Sequence, residues 1–224
     1  MDPDLRVQIE KYLERLFVAP DPTLAQGLSD ADAAGLPQIQ VSPNQGKLLY
    51  LLTKISGARR VLEIGTLGGY STTWFARALP EGGVLTSLEL DRRHADVARK
   101  NVDRAGVGSR VTIEVGPAEQ TLQRMIQQRV PPFDLIFIDA DKTGYERYLD
   151  LSLQLSRPGT VVVADNLIRD GGVLEAAPAE ENARAARAFN ARLAADRRLE
   201  SIIIPVNGKR VDGMSISIVN GPSA

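Results

Sequence analysis

From residue 59 onward, short runs of β-branched and aliphatic residues alternate with stretches long enough to form helices. The runs are apolar enough to be buried on both faces of a parallel sheet. Two further runs, 202–204 and 214–218, flank Asn207-Gly208, a pair that favours an antiparallel hairpin. We therefore expect an α/β fold with a doubly wound sheet and a late antiparallel strand. The predicted parallel strands are 60–64, 84–89, 110–115, 134–138 and 160–164, with helices between them and a long helix over about 180–196.

Three helical signals precede the first strand. Leu5, Ile9, Leu13 and Leu16 recur at helical spacing, and an alanine-rich stretch follows over 23–36. Ser42-Pro43-Asn44-Gln45 combines an N-cap serine, a proline at the first helical position and a glutamine placed for a capping box. This pattern predicts a helix that begins after Ser42 and continues through Lys54.

Charge and composition exclude several classes of site. The chain has 224 residues, and its 27 Lys plus Arg nearly balance its 28 Asp plus Glu. No strong field would attract a polyanion from a distance. The chain has no cysteine, which excludes a disulfide framework, a zinc-thiolate site and a thiol nucleophile. No apolar run approaches the roughly 18 residues of a membrane span, so we expect a cytoplasmic enzyme.

His94 is the only histidine, which excludes a histidine-rich zinc site. It lies in the charged run Asp91-Arg92-Arg93-His94, and charged runs usually occupy solvated faces. We therefore expect His94 on the exposed side of a helix.

A glycine-containing turn follows the first predicted strand. Its sequence, Glu63-Ile64-Gly65-Thr66-Leu67-Gly68-Gly69, lets the backbone approach a ligand closely, and the next helix start offers free N–H groups. The spacing is neither the G-x-G-x-x-G of dehydrogenases nor a P-loop. A tight turn without a ligand is the alternative interpretation.

Glu89 ends the second predicted strand. An acid about 20 residues beyond a glycine turn can accept the two hydroxyls of an adenosine ribose. Alternatively, Glu89 is a charge favoured at a helix N-terminus. Together, the turn and Glu89 favour a nucleoside ligand, either a nicotinamide dinucleotide or a sulfonium nucleoside.

Acidic residues follow the fourth and fifth predicted strands, at Asp139-Ala140-Asp141-Lys142 and Asp165-Asn166. Neighbouring parallel strands lie about 4.8 Å apart, so carboxylates at their ends can share a cation. Two carboxylates and an amide oxygen suit Mg²⁺, Mn²⁺ or Ca²⁺. Helix capping or hydrogen bonding to a ligand is the alternative role for Asp139 and Asp165.

The ordered set of motifs resembles the catechol and caffeoyl-CoA O-methyltransferases, a cation-dependent family that uses S-adenosylmethionine (SAM). The likeness runs from about Val41 to Val219. It implies a Rossmann-like class I methyltransferase with a seven-stranded, mostly parallel sheet, in one domain over 1–224. It also implies a SAM-binding core at 41–220 and a helical extension at 1–40 that serves the acceptor pocket or a homodimer contact. The motifs are Val41, Glu63-Ile64-Gly65, Gly69-Tyr70-Ser71, Glu89, Gly116-Pro117-Ala118, Asp139-Ala140-Asp141-Lys142 and Asp165-Asn166.

The resemblance also implies roles for individual residues. Asp139, Asp165 and Asn166 would bind the metal, with Mg²⁺ the first expectation. Val41 and Ser71 would hold the methionine part of SAM, Glu89 the ribose, and Ala118 would flank the adenine. The implied cofactor-binding residues are Val41, Glu63, Gly65, Thr66, Ser71, Glu89, Ala118 and Asp139.

Lys142 lies three residues beyond Asp139 and, with Asp139, is a candidate catalytic residue. A desolvated lysine beside a cation can lose its proton and then accept one from a hydroxyl group. An electrostatic role and a plain surface position are the alternatives. The expected reaction is methyl transfer from SAM to a hydroxyl of a small catechol-like acceptor.

Two other functions stay open. Methylation of 5-hydroxyuridine in transfer RNA is suggested by the arginines between Arg184 and Arg198, although acidic residues in that region favour a solvated face. An NAD-dependent dehydrogenase would also use the glycine turn and Glu89.

Overall fold

The computed structural model describes residues 3–207 and 211–221. Eight α-helices and seven β-strands are assigned within these ranges. The helices are α1 Pro3–Phe17, α2 Pro22–Ala33, α3 Pro43–Ile55, α4 Tyr70–Ala78, α5 Arg92–Arg104, α6 Ala118–Gln127, α7 Tyr145–Gln154 and α8 Glu181–Ala195. The strands are β1 Arg60–Ile64, β2 Val84–Glu89, β3 Val111–Val115, β4 Leu135–Ile138, β5 Val161–Ala164, β6 Leu199–Asn207 and β7 Val211–Val219.

The seven strands form one sheet in the order β3-β2-β1-β4-β5-β7-β6. Strands β1 to β5 pair in parallel, whereas β7 runs antiparallel to both β5 and β6. The predicted doubly wound sheet with a late antiparallel hairpin is therefore confirmed. The order reverses between β1 and β4, and ligands of such sheets bind at this point, beyond the carboxyl ends of the strands.

Alternate residues of the central strands point into two apolar layers. Leu62 and Ile136 pack with residues of α6, α7 and α8, while Val61 and Phe137 pack with residues of α3 and α4. All four side chains are fully buried. Burial on both faces explains why β4 and β5 contain no polar residue. Packing on both faces also fixes the register of these strands, so the helix layers on the two sides of the sheet hold the strand ends in place.

The helix that begins after Ser42 has the predicted cap. Ser42 Oγ accepts a hydrogen bond from the Gln45 main chain, and Gln45 Oε1 accepts one from the Ser42 main chain. These bonds satisfy donors that the first helical turn leaves unpaired. The helix therefore starts at a fixed place, with Gln45 near the carboxyl ends of β4 and β5.

The closing hairpin is longer than its apolar runs suggest. Strands β6 and β7 pair from Leu199 with Val219 to Asn207 with Val211. Residue Gly208 of the predicted Asn-Gly turn lies outside the described residues. Within the described ranges, no helix combines the length and the apolar character needed to cross a membrane.

Candidate functional site

The turn after β1 brings the chain against the end of β4. Asp139 N donates a hydrogen bond to Ile64 O at 2.8 Å, and Gly65 N donates one to Leu88 O at 2.9 Å. Gly65 has φ +102°, and a Cβ atom there would lie 2.0 Å from the carbonyl oxygen of Asp139. Only glycine satisfies both conditions. Gly65 thus brings the carboxyl ends of β1, β2 and β4 together.

The Glu89 carboxylate is held by main-chain donors. Oε2 accepts hydrogen bonds from Thr66 N and Leu67 N, at 3.1 and 2.8 Å, and Oε1 accepts one from Asp91 N at 2.9 Å. Glu89 is 7% exposed. The acid at the end of β2 is therefore oriented by the glycine turn itself, which suits recognition of a ribose diol.

His94 lies on α5, as predicted, but it is only partly solvated. Its Nδ1 lies 3.3 Å from Oε1 of Glu89, and its side chain is 25% exposed. The charged sequence around His94 indicated the helix correctly. The contact with Glu89 arises from the fold, because α5 begins directly beyond the end of β2.

Glu63 is a fully buried carboxylate surrounded by hydroxyl groups. Oε1 accepts a hydrogen bond from Ser71 at 2.6 Å, and Oε2 accepts bonds from Thr72 at 2.5 Å and Ser87 at 2.6 Å. The pKa of Glu63 is raised to about 7, mainly by burial and in part by the charge of Asp139, although the three hydroxyls that donate to it act in the opposite direction. The site thus contains an acid that titrates near neutral pH.

Asp139 and Asp165 lie at the ends of adjacent strands. Burial of Asp165 raises its pKa to about 8, with a further contribution from the charge of Asp139. Asp165 is 2% exposed and accepts hydrogen bonds from the Gln45 amide at 3.2 and 3.1 Å and from Asn166 N at 2.7 Å. The charge of Asp139 disfavours a second negative charge on Asp165, and a cation shared by the two carboxylates would relieve this repulsion.

Lys142 lies between these acids and a buried tyrosine. Its Nζ donates hydrogen bonds to Asp139 Oδ1 at 3.1 Å, Ala140 O at 3.0 Å and Tyr145 Oη at 2.7 Å. Tyr145 in turn donates to the main-chain oxygen of Asp165 at 3.0 Å. Lys142 is only 9% exposed, so it is not a surface residue. The three bonds use all the donors of an ammonium group, which is the charged form.

The donor set fits a hard divalent cation. Asp139 and Asp165 supply carboxylate oxygens. The backbone of Asn166 has φ +60°, and its side chain forms no hydrogen bond within the described part of the chain. No three His, Cys, Asp or Glu side chains of the described residues cluster as a metal site. Two carboxylates and one amide oxygen are the kind of set that leaves coordination positions of Mg²⁺ for other oxygens.

The remaining predicted residues surround the same strand ends. Val41 is buried just before the cap of α3, Ser71 lies in the first turn of α4, and Ala118 is the first residue of α6, directly after the loop beyond β3. Thr66 is 2% exposed, within the turn after β1. The fold brings Glu63, Thr66 and Glu89 into one hydrogen-bonded group and Asp139, Asp165 and Lys142 into another.

Sequence reasoning missed four residues of these groups. Gln45 was assigned only to the capping box, yet its Nε2 also contacts Asp165. Thr72 and Ser87 contact Glu63, and Tyr145 contacts Lys142. For Ser87 the local sequence gives no distinct signal, because Thr86 and Glu89 of the same strand are also polar.

The loop after β5 has an unusual backbone. Arg169, Asp170 and Gly171 all have positive φ, at 53°, 53° and 86°. Asp212 Oδ1 accepts hydrogen bonds from Ile168 N and Arg169 N and so ties this loop to β7. A cavity of about 410 Å³ lies here, lined by residues 169–172, 175, 178–180 and 183.

Arginines of the region suggested for transfer RNA binding make intramolecular contacts. Arg184 donates to the carbonyl oxygens of Pro178 and Ala179, and Arg187 donates to that of Val173. Arg192 and Arg198 pair with acidic side chains of this chain. The ion pairs offset part of the positive charge that the region offers to a polyanion, and the carbonyl contacts occupy donor groups of Arg184 and Arg187.

Comparisons with known proteins show the family of this chain. The sequence model described as O-methyltransferase matches residues 20–218. A catechol O-methyltransferase from Niastella koreensis is 47% identical over 212 residues, which are 94% of this chain and 96% of the relative.

Two solved structures are similar over nearly their whole length. The O-methyltransferase from Bacillus cereus in complex with SAH has a TM-score of 0.94 at 40% identity, covering 98% of this chain and 100% of that one. The O-methyltransferase of tomaymycin synthesis from Streptomyces achromogenes, in complex with SAM, has a TM-score of 0.93 at 36% identity and covers 99% and 100% of the two chains.

These matches decide between the two nucleoside cofactors in favour of SAM, and they disfavour the dehydrogenase alternative. The chain belongs to the O-methyltransferase family and is a SAM-dependent enzyme of the catechol and caffeoyl-CoA type with the class I methyltransferase fold.

Proposed function

We propose that this enzyme requires a divalent cation, with Mg²⁺ the first expectation, and methylates a hydroxyl of a small catechol-like acceptor. The observation that carries the proposal is the pair Asp139 and Asp165 at adjacent strand ends, close enough for the charge of one to raise the pKa of the other. Asn166 supplies a neutral oxygen beside them. The name of the Niastella koreensis relative supports a catechol acceptor.

Residues of the two hydrogen-bonded groups then have distinct tasks. Glu89 orients the ribose, while Glu63 and Ser71 lie at the methionine part of SAM. Val41, Gly65, Thr66, Ala118 and Asp139 complete the proposed cofactor pocket. Holding both reactants in line supplies much of the rate enhancement, because the acceptor oxygen forms its bond to the methyl carbon as the carbon–sulfur bond breaks.

Lys142 and Asp139 are the proposed catalytic residues. A divalent cation, when bound, would favour the deprotonated form of the acceptor hydroxyl. Lys142 is placed to accept the hydroxyl proton if it is neutral, or to stabilise the oxygen electrostatically if it keeps its three hydrogen bonds. Its burial beside Asp139 supports a role in either form.

The acceptor is proposed to enter beside the loop after β5. Positive φ angles from Arg169 to Gly171 and the adjacent cavity support a shaped pocket there. The contacts of Arg184 and Arg187 with main-chain carbonyls favour a small acceptor over transfer RNA. We propose a cytoplasmic location, which the absence of a spanning helix from the described residues permits.

A homodimer through the N-terminal helices is also proposed. Helix α1 exposes Leu16 and Phe17, with 57% and 64% of their surfaces accessible, and Tyr12 is 55% exposed. An apolar helix face of this kind suits contact with a second copy. Sedimentation should give twice the mass of the chain, and Leu16→Asp should shift the mass towards one chain. A monomer in the unaltered protein would contradict the proposal.

The central experiment uses labelled SAM and a panel of vicinal diols, with and without a chelator. Transfer should stop in chelator and return when Mg²⁺ is added. Asp165→Ala should abolish the cation-dependent turnover, whereas Asp141→Asn, an exposed acid in the same loop as Asp139, should keep it. Full activity in chelator would reject the metal requirement. Methylation of undermodified transfer RNA but of no diol would reject the acceptor class.

A further inference from the structure

Ser87 is a buried polar residue in the middle of the sheet. It lies on β2 directly opposite Glu63 on β1, and it has no exposed surface. Its hydroxyl donates to Glu63 Oε2 at 2.6 Å. A serine at this depth cannot touch a ligand from solvent, so any effect on the cofactor must pass through the residues that it contacts.

Ser87 also contacts Thr66 in the turn after β1. The two hydroxyl oxygens are 2.5 Å apart. When Glu63 is ionised it accepts a hydrogen bond from Ser87, so Thr66 donates its own proton to Ser87 Oγ. Thr66 N in turn donates to Glu89 Oε2 at 3.1 Å. Hydrogen bonds therefore run from Glu63 through Ser87 to the Thr66 side chain, and from the Thr66 main chain to Glu89. This path joins the two carboxylates.

Glu63 reaches the open part of the site through Ser71. Ser71 is partly exposed, and its hydroxyl donates to Glu63 Oε1, the oxygen that Ser87 does not use. The charged residue that acts on Glu63 from a neighbouring strand is Asp139, which is acidic as well. Hydroxyl groups, rather than a basic side chain, thus hold this buried negative charge in the described structure.

We propose that Ser87 is a positioning residue of the SAM site, which orients the Glu63 carboxylate, stabilises its ionised form and couples it through Thr66 to Glu89. In this form Glu63 raises the affinity for the sulfonium cofactor more than the affinity for its product. SAM carries one more positive charge than SAH, since methyl transfer leaves a neutral sulfur. A fixed anion at the methionine part of the pocket stabilises the first ligand more than the second. This inference rests on the proposed place of Glu63 in the cofactor pocket.

The test is calorimetric binding of SAM and SAH, separately, to the full-length protein. A hydrogen bond to a charged group contributes enough that its loss corresponds to roughly a tenfold change in affinity. Ser87→Ala should therefore raise the Kd of SAM about tenfold and that of SAH by about threefold or less. Thr66→Val, which removes only the second hydroxyl, should change the SAM-to-SAH ratio in the same direction but less.

Two variants separate positioning from packing. Ser87→Thr keeps the hydroxyl and should have the same ratio of SAM to SAH affinity as the unaltered protein. Ser152→Ala removes another fully buried serine, one whose hydroxyl has no partner within the described residues, and should change neither Kd. Thermal unfolding of each variant, without ligand, would establish that it is folded.

The possible outcomes separate a failure of the role of Ser87 from a failure of the proposed cofactor pocket. If Ser87→Ala weakens both ligands equally, or neither, while Glu63→Gln selectively weakens SAM, the role of Ser87 is refuted and the place of Glu63 stands. If Glu63→Gln leaves SAM affinity unchanged, the proposed place of Glu63 fails and the inference fails with it. If Ser87→Thr changes the ratio of SAM to SAH affinity as Ser87→Ala does, the inference is also overturned.

Discussion

Replacing Gly65 with alanine should separate the effect of backbone strain from that of a steric clash. At Gly65 the backbone has φ +102°, and the new methyl group would lie 2.0 Å from Asp139 O and 2.8 Å from its carbonyl carbon. Gly57 is a matched control, with φ +63° and no atom within 4 Å of the added Cβ. Both variants carry strain, but only Gly65→Ala forces two strand ends apart.

The expected magnitudes differ accordingly. Gly57→Ala should cost about 1 kcal/mol, the usual penalty for an L-residue in the left-handed region. Gly65→Ala adds a clash of the kind that costs about 1–3 kcal/mol when a packed region is overfilled, for a total of roughly 2–4 kcal/mol. In a chain of this length, each kcal/mol corresponds to about 2–4 °C in Tm. The Tm of Gly65→Ala should therefore fall by roughly 4–16 °C.

Thermal unfolding and calorimetric SAM binding would test this reasoning together. Gly65→Ala should also weaken SAM binding, because the clash displaces Asp139 and the turn that orients Glu89. Gly57→Ala lies at the end of α3 and should leave the Kd of SAM unchanged. If the two variants have the same Tm and the same SAM affinity, the close approach of Gly65 to Asp139 constrains neither stability nor the SAM site.

Three other predictions concern buried polar groups. Burial raises the pKa of Glu63 from 4.5 to about 7, so the folded protein retains a proton that the unfolded chain releases. This contribution to stability is full below pH 4.5 and falls by about 3 kcal/mol as the pH rises through about 7. Urea unfolding between pH 4.5 and 8 should show a smaller loss in Glu63→Gln, and equal losses would contradict the assignment. Asn101 donates hydrogen bonds to Gly27 O and Gly68 O at 3.1 and 2.9 Å, so Asn101→Ala should lower the free energy of unfolding by about 1–3 kcal/mol. An unchanged denaturation midpoint would argue against this. Lys142→Met should lower kcat by about 10²–10⁴ with little change in SAM affinity. Lys142→Arg keeps the charge, so if it retains near-normal kcat the lysine acts electrostatically and not as a base.

The sheet was predictable because its strands are short, largely apolar runs, and the central strands β4 and β5 are apolar on both faces. The bounds of β1 and β2 agree with the predicted 60–64 and 84–89, and those of β3 to β5 differ by one residue. β6 begins at Leu199, three residues before its apolar run, because Glu200 and Ser201 continue the pairing with β7 despite their polarity. The ends of such strands are determined by pairing with a neighbouring strand, and the local sequence pattern carries no information about that pairing.

The site was predictable only where a motif ends a strand. Glu89, Asp139 and Asp165 lie at strand ends, and the glycine turn identifies the edge that they share. The residues that orient them were not evident, because their contacts depend on register and on distant segments. Gln45 contacts Asp165 across 120 positions of sequence, and Ser87 faces Glu63 through strand pairing.

The reversal of strand order between β1 and β4 has a consequence for how such an enzyme can diversify. Groups proposed for the nucleoside lie on the side of β1 and β2, whereas the loop after β5 and the hairpin lie on the other side. Insertions or substitutions beyond β5 can therefore remodel the acceptor half while leaving the donor half intact. One methyl donor can in this way serve many acceptors, with the Asp139–Ile64 hydrogen bond as the fixed junction between the halves.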